Sequence, residues 1–467
     1  MANRIPRRDF LRAGVAAAAC GAWNPVWGGQ INSRRAPAQP LSTGWSQLPD
    51  ILAKIVPPQF PKRDFLITDY GSSASRGSDW APALNAAIKA CHQAGGGRVV
   101  VPAGTWLSNG PIHLLSFVNL YLEDGAHIVF GTDAEDYLPM QLVRWQGVRC
   151  LNYSPLIYAY RQRDIAITGS GTLNGQGWIW NKWTHKQLPA WKSLQKMAAD
   201  GVLVRDRRFG PGYYLRPAMF EPYDCANILV QGVTFAGSPF WTMHPTFCTN
   251  VTIQEVTVES GAENDDGCDP DSCLDVLIEG CSFSTIDDNI SIKAGLNPDA
   301  EGLPGCENIV IQDCDCQRSV WSGLTIGTDL GAYVRNVFIQ NCTIDNCVSA
   351  HFIKGHENLG GGVENIYIRS NRILTCENVL ALEPDSYVSP GSMGPAVVLN
   401  INMQDVTCDE ARGAAFAFLG DPRLPIQDVA LSNIVVEKAS QAATISNTWG
   451  LTASDILVNG QPVDLTG

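Results

Sequence analysis

Two short acidic runs hold the residue types best suited to chemistry. "NDDGCDPD" covers Asn264 to Asp271 and "STIDDNISIK" covers Ser284 to Lys293. In the second run, Asp287 and Asp288 stand between the β-formers Thr285, Ile286, Ile290 and Ile292. Side-by-side carboxylates repel, so a strand gains nothing from them. Clustered acids push one another's pKa values apart: one keeps its proton while the others ionise. A general acid working beside a general base requires that arrangement. An inverting glycosidase has such a pair, roughly 6.5–9.5 Å apart so that water fits between. Asp-rich corners also occur as plain solvated turns. Asp266 decides between the two readings, because a third acid stacked on the pair, with Lys293 and Lys354 near, favours catalysis. The run does not follow the ligand order of a calcium-binding EF-hand loop. No metal and no cofactor is expected.

The elements that bring these residues together follow from a repeat. Strand-like units open on Asn or Asp: "NILVQGVTF" at Asn227, "NVTIQEVTV" at Asn250, "DVLIEGCSF" at Asp275, "NIVIQDCDC" at Asn308 and "NVFIQNCTI" at Asn336. "NIYIRSNRI" at Asn365, "NINMQDVTC" at Asn400, "DVALSNIVV" at Asp428 and "DILVNGQPV" at Asp455 continue the series, at spacings of 23 to 35 residues. β periodicity at such a period, with no helices between, predicts a solenoid of strands. One coil cannot bury its own apolar face, so neighbours stack into a parallel β-helix. The leading Asn or Asp suits a turn, through side-chain bonds to local backbone. "SDWAPALNAAIKACHQAGGG" has a helical apolar stripe at Ala83, Leu84, Ala87, Ile88 and Cys91. It predicts a helical cap over the open end of the solenoid. Residues 175–216, with four Trp in "WIWNKWTHKQLPAW", break the period and are expected as an inserted loop.

Matching the strands after each first turn registers the coils. "GCDP", "NISIK", "GLTIG" and "HFIK" align, which sets Asp266 on Asp288, Asp288 on Ser322 and Ser322 on Ala350. Successive coils lie ~4.8 Å apart. Asp266, Asp287 and Asp288 should therefore converge. Adjacent strand residues point to opposite faces, so Asp287 and Asp288 must lie at a bend.

The remaining composition bounds the protein's setting. The N-terminus pairs Arg7 and Arg8 ahead of an apolar run ending at Cys20. Residues 1–20 are expected to be a twin-arginine-type export signal, with Cys20 a candidate for lipidation. Residues 21–61 are expected to be linker, and 62–467 the β-helix domain. A periplasmic or extracellular location follows. Without residues 1–20 the chain holds 29 basic and 45 acidic residues, which argues against nucleic acid as a partner. No later run approaches the ~18 apolar residues of a membrane span. Export permits disulfides, yet Cys281, Cys314 and Cys342 hold equivalent repeat positions, as stacked thiols would. A monomer is expected.

At these residues the chain resembles glycoside hydrolase family 28, the polygalacturonases and rhamnogalacturonan hydrolases. "ITDYG", "GGGRVVVPAGTW", "ITGSGTLNGQG", "SPFWTMHPTFC" and "NDDGCDPDSC" carry the likeness over nearly all of the chain after about Asp64. The resemblance implies a right-handed β-helix and an inverting, metal-free hydrolase of pectic polysaccharide. The family's Asn-Thr-Asp motif matches Asn264-Asp265-Asp266, and its Asp-Asp pair matches Asp287-Asp288. By that resemblance Asp287 is the general acid, while Asp266 and Asp288 activate water. Asn264, Lys293, Ser322, Lys354, Trp321 and Phe352 are expected to face the sugar.

Two departures matter. The family's Gly-His-Gly falls on Trp321-Ser322-Gly323, and its Arg-Ile-Lys on Phe352-Ile353-Lys354. Replacing Arg by Phe removes a bidentate carboxylate clamp. One sugar flanking the cut is therefore expected to be neutral or deoxy. The alternatives are an exo-acting enzyme that takes a carboxylate with Arg205, Arg207 or Arg208, and a non-catalytic sugar-binding solenoid. A β-helix lyase is disfavoured, since this cluster is acid-rich rather than basic.

Overall fold

The computed structural model describes residues 44–71, 79–355, 358–384 and 393–465. The expected export signal and Cys20 lie outside the described residues. Within them, the alternating units become strands with their apolar residues inward. Val276 and Ile278 of Leu274–Glu279 are wholly buried, whereas Leu274 is exposed. Arg163–Gly169, Ala226–Gln231, Thr249–Gln254, Leu274–Glu279, Cys306–Gln312 and Tyr333–Gln340 stack in parallel to form one sheet. Thr172–Asn174, Thr234–Ala236, Thr257–Glu259, Ser282–Ser284 and Asp315–Arg318 form a second. Ile290–Ile292, Ser322–Ile326 and Cys347–Gly355 belong to a third, continued backwards by bridges at Cys268 and Met243. The result is a right-handed parallel β-helix around one continuous apolar core.

The leading residues of the units, from Asp164 to Asp455, all hold φ between 53° and 62°. Asn and Asp tolerate this left-handed region better than other side chains. Their side chains do not turn to local backbone, as expected from sequence. Those from Asp164 to Asn400 bond an equivalent residue one coil away: Asn250 donates to Asn227 at 2.9 Å, Asn308 to Asp275 at 2.8 Å and Asn400 to Asn365 at 2.7 Å. Stacking brings equivalent residues within reach, so they satisfy one another. The thiols follow the same logic. All fourteen cysteines from Cys91 to Cys408 are free and buried. Cys281, Cys314 and Cys342 each donate to a carbonyl two residues back.

The cap forms as Ala81–Gln93 and buries the five predicted stripe residues. Asp79 Oδ1 accepts from Ala81 N–H at 2.9 Å and opens the helix. It ends at Gly95 and Gly96, both at positive φ; a Cβ on Gly96 would lie 2.6 Å from Phe117 O.

Two expectations need correction. Residues 21–43 of the expected linker lie outside the described residues, and the part from Trp45 to Ile55 is not linker, because Trp45, Leu48, Ile51 and Ile55 bury against Val310, Phe338 and Tyr367 on the outer face of the coils. The insert is not a plain loop either. It forms helices Gly177–Trp180 and Leu188–Ala199, the latter burying Ala190, Leu194 and Ala198 at intervals of four. Trp180 packs in the core, Trp183 and Trp191 lie half-buried against it, and Trp178 is 74% exposed.

Candidate active site

Between Ser282–Ser284 and Ile290–Ile292 the chain bends, and the bend carries Asp287 and Asp288. Several bonds fix its shape. Thr285 Oγ1 and Ser319 Oγ both donate to Asp287 O, at 2.6 and 2.7 Å. Asn289 Nδ2 donates to Thr285 Oγ1 and to Arg318 O. Asp265 Oδ1 accepts from the N–H groups of Ile286 and Asp287, at 2.9 and 2.8 Å. The bridge from Cys268 to Ile290 sets Asp266 opposite Asp288, as the repeat predicts. One oxygen each from Asp266, Asp287 and Asp288 lies within 4.8 Å of the others.

The next coil is also as expected: Ile290 pairs with Leu324, so Ser322 lies opposite Asp288 and is buried. The last match is one residue off. Ser322 pairs with Ser349, not Ala350, because Ile326 stacks on Ile353 in the core. A one-residue slip would turn Ile353 outward. This register places Lys293 and Lys354 in one column with Gly327 between them. Lys293 Nζ donates to Asp266 Oδ2 at 3.2 Å, and Lys354 Nζ to Asp288 Oδ2 at 2.6 Å. The three acidic oxygens are close enough to gather a cation, yet two of these carboxylates already hold ammonium groups; no metal is assigned there.

Asn264 stands beside them. Its Oδ1 accepts from Arg216 Nη2 at 2.7 Å, which turns its NH₂ towards Asp287 Oδ2, 3.4 Å away. Arg216 also bonds Gln187, Pro239 O and Glu263 O. A relay therefore runs from the insert through Arg216 and Asn264 to Asp287. Trp321 and Phe352 are half-buried, with the Phe352 ring 5.4 Å from Lys354 Nζ. Arg207 is engaged elsewhere, since it and Arg149 clamp Asp299. Arg205 and Arg208 are exposed.

Burial dominates the electrostatics. It raises the Asp266 carboxyl well above the usual range; the charge of Asp269 adds to this and Lys293 opposes it. Burial lifts Asp265 to about 6 despite its backbone donors, and Asp269 to about 7 despite Lys293. Burial opposes charge on Lys293, but Asp269 and Asp266 overcome it and hold the ammonium on. Behind this row His244 sits between Asp271, 3.5 Å away, and Glu221, 3.8 Å away. Burial would strip its proton, yet those two acids lift it to about 9.

Sequence reasoning missed Asp265, Asp269, Arg216 and Trp241. Trp241 lays its ring 4.3 Å from Lys293 Nζ. Asp265 was legible as a charged residue in place of the motif's Thr. Arg216 carried no local signal, because only the folded insert brings it to Asn264.

Residues 211–454 match the model of glycosyl hydrolases family 28. This is more than half of the chain. The chain belongs to glycosyl hydrolase family 28. Family membership makes it an O-glycosyl hydrolase, and inversion is general in the family. The chain is 32% identical to the structure of a hyperthermoactive exopolygalacturonase from Thermotoga maritima, covering 90% of this chain and 96% of that one, with a TM-score of 0.85. It is 26% identical over 366 residues to a probable polygalacturonase of Vitis vinifera, 75% of this chain and 69% of that protein. An exopolygalacturonase of Cochliobolus carbonum is 24% identical over 60% of this chain; the chain spans only 55% of that protein. The family's inversion does not follow from the acid spacing here. Oxygens within 4.8 Å agree with acids one coil apart but are closer than the roughly 6.5–9.5 Å typical of an inverting pair.

Proposed function

We propose that the chain hydrolyses the backbone of pectic polysaccharide with inversion, Asp287 protonating the glycosidic oxygen while Asp266 and Asp288 hold the attacking water. The observation that carries this is the convergence of the three carboxylates at one corner of two successive coils, two of them tied to lysines and Asp287, among the described residues, to none. Among the described residues Asp288 Oδ1 has no hydrogen-bond partner, which supports its role as an acceptor for water. A non-catalytic module gains nothing from this arrangement, in which like charges crowd and must be neutralised.

Two readings of the cut remain, each with its own support. The insert follows Thr172–Asn174, which register through Thr234–Ala236 onto Thr257–Glu259 just before the Asp266 turn. It therefore rises on the same column of turns, two coils or about 10 Å before the acids. An insert there would bound the path of the substrate on one side and favours attack at a chain end, the action named for the similar exopolygalacturonase from Thermotoga maritima. Half-buried Phe352 beside Lys354 supports instead a neutral or deoxy sugar next to the cut. Product analysis on polygalacturonate and rhamnogalacturonan separates them. Monomer release from polygalacturonate supports the first; faster cleavage of rhamnogalacturonan supports the second. Proton NMR at early time should show the inverted anomer, and a retained anomer would reject the assigned roles. Export to the periplasm or outside the cell, by the Arg7-Arg8 signal, is part of the same proposal.

A further inference from the structure

We propose that the insert of residues 175–216 is a docking surface for the uronate carboxylates of the substrate chain, with Lys182, Lys186, Lys192 and Arg208 as its contacts. The inference rests on the pectic-hydrolase reading and adds the place where the polymer's charge is recognised. Of the 33 Lys and Arg and 46 Asp and Glu in the chain, the insert holds eight and two, which leaves 25 and 44 elsewhere. An acidic surface repels a polyuronate, so a local excess of cations is needed to draw one in. Four of the insert's eight are engaged within the protein. Arg207 clamps Asp299, Arg216 bonds Asn264, Lys196 pairs with Asp200 and Arg205 lies 3.9 Å from Asp206. Lys182, Lys186, Lys192 and Arg208 are exposed and, among the described residues, have no acidic partner.

Place matters as much as charge. The insert is tied to the acid corner at both ends. Gly177 N–H donates to Gly237 O at 2.7 Å, on the turn column of the acids, and Arg216 Nη2 reaches Asn264. The helix Leu188–Ala199 buries Leu194 and leaves Lys192 in water. Lys186 stands 5.2 Å from the Tyr214 ring, which packs on Trp183. Trp178, exposed on the same insert, offers a sugar ring an amphipathic face. The corner itself gives a carboxylate little to bind. Lys293 and Lys354 already neutralise Asp266 and Asp288, and Phe352 stands where the family has Arg.

The decisive variant is K182Q/K186Q/K192Q, assayed on polygalacturonate for kcat, KM and thermal midpoint. The parent's KM should rise several-fold from about 20 mM to about 0.2 M salt, because exposed charges are screened. At the lower salt the variant's KM should exceed the parent's by about tenfold, with kcat within about twofold and a flatter salt response. A merely structural role would lower the midpoint and kcat and leave the salt response unchanged, which overturns the proposal. Lys54, Lys62 and Lys438 are exposed outside the insert. K54Q/K62Q/K438Q removes the same charge and should keep the parent's KM. An equal rise in both triple variants would make net charge the cause and overturn the proposal. A salt-independent KM in the parent overturns it without any variant. If the parent cleaves polygalacturonate and K182Q/K186Q/K192Q keeps its KM, only this inference fails. If the parent cleaves neither polygalacturonate nor rhamnogalacturonan, the reading of the site fails.

Discussion

Two corners of the same coils stack polar side chains one above another, at the ~4.8 Å strand spacing. At the corner that opens each unit, Asn227, Asn250, Asn308, Asn336, Asn365 and Asn400 form a ladder in which each amide donates to the coil before it. At the other corner, Asp266 and Asp288 face each other across one coil step, with Asp287 beside them. An amide has donors and acceptors, so an identical neighbour is a partner. An ionised carboxylate has acceptors only, so an identical neighbour is a repulsion. The first corner stabilises the solenoid by repetition. The second breaks the repetition, because it needs Lys293 and Lys354 to be tolerable and leaves Asp287, among the described residues, without an ion pair. What one corner gains in stability, the other gives up for reactivity.

The sharpest way to break this comparison is to make the acid corner amide-like. Asp287→Asn is nearly isosteric and retains Asn264 as a neighbour, but it cannot give a proton. Turnover should fall ~10²-fold or more while substrate still binds. Steady-state kinetics and equilibrium binding on the same preparation check both halves. Unchanged turnover would remove Asp287 from the chemistry.

Removing a lysine tests the cost of the acids themselves. Lys354→Met leaves Asp288 buried without its partner. Losing one member of a buried pair costs about 3–5 kcal/mol. A lower thermal midpoint and a fall in kcat of about tenfold or more are expected. Lys354→Arg, which keeps the charge but not the point-like ammonium, should lose less. If Lys354→Met is as stable as the parent, the acids are not the burden claimed for them.

How much of this was legible in the sequence depended on which forces repeat. The β-helix, the cap stripe from Ala83 to Cys91 and the stacking of Asp266 on Asp288 all follow from periodicity, and one sequence contains its own alignment. The slip at Ser322 lies where short strands of unequal spacing leave the register open and only the inward packing of Ile326 on Ile353 sets it. The helix Leu188–Ala199 was readable, since Ala190, Leu194 and Ala198 repeat at four. It was masked by a Trp-rich surrounding that reads as loop. The strap from Trp45 to Ile55 looked like linker, because its four apolar anchors are spread through Pro, Lys and Gln. Asp269 and His244 gave no sign of their roles, because desolvation and facing charges belong to the folded state alone.

The amide ladder offers the complementary break. Asn336 accepts from Asn365 and donates to Asn308, at φ 55°. Asn336→Ala removes two ladder bonds and puts a methyl side chain into the left-handed region. The two losses together should cost about 2–3 kcal/mol. Asn336→Gly relieves the backbone strain and should cost about half as much. Neither should change kcat by more than about twofold, since the ladder lies on another corner. Equal losses for Ala and Gly would show that the bonds alone matter.

The smallest effect expected is also the one that ties the corners to pH. Asp265 and Asp329 are lifted to about 6 and Asp269 to about 7 by burial, from 3.8. A carboxyl raised on folding stabilises the native state below its unfolded value and loses that contribution as pH rises through the folded one. His244, raised from 6.5 to about 9 by Asp271 and Glu221 against its burial, contributes below pH 6.5 and loses it as pH rises through 9. Both terms have the same sign between pH 5 and 9, whereas the pairs that depress Asp271 and Asp299 are already complete above their unfolded values. The thermal midpoint should therefore fall by a few degrees, on the order of 3 °C, from pH 5 to pH 9. The Asn ladder carries no titrating group at its amide positions and adds nothing to this slope. His244→Gln should flatten the upper half of the slope, from about pH 7 to pH 9, while Asn336→Gly should lower the curve without changing its shape. A midpoint that rises over this range would mean that the acid corner is not where the fold concedes stability.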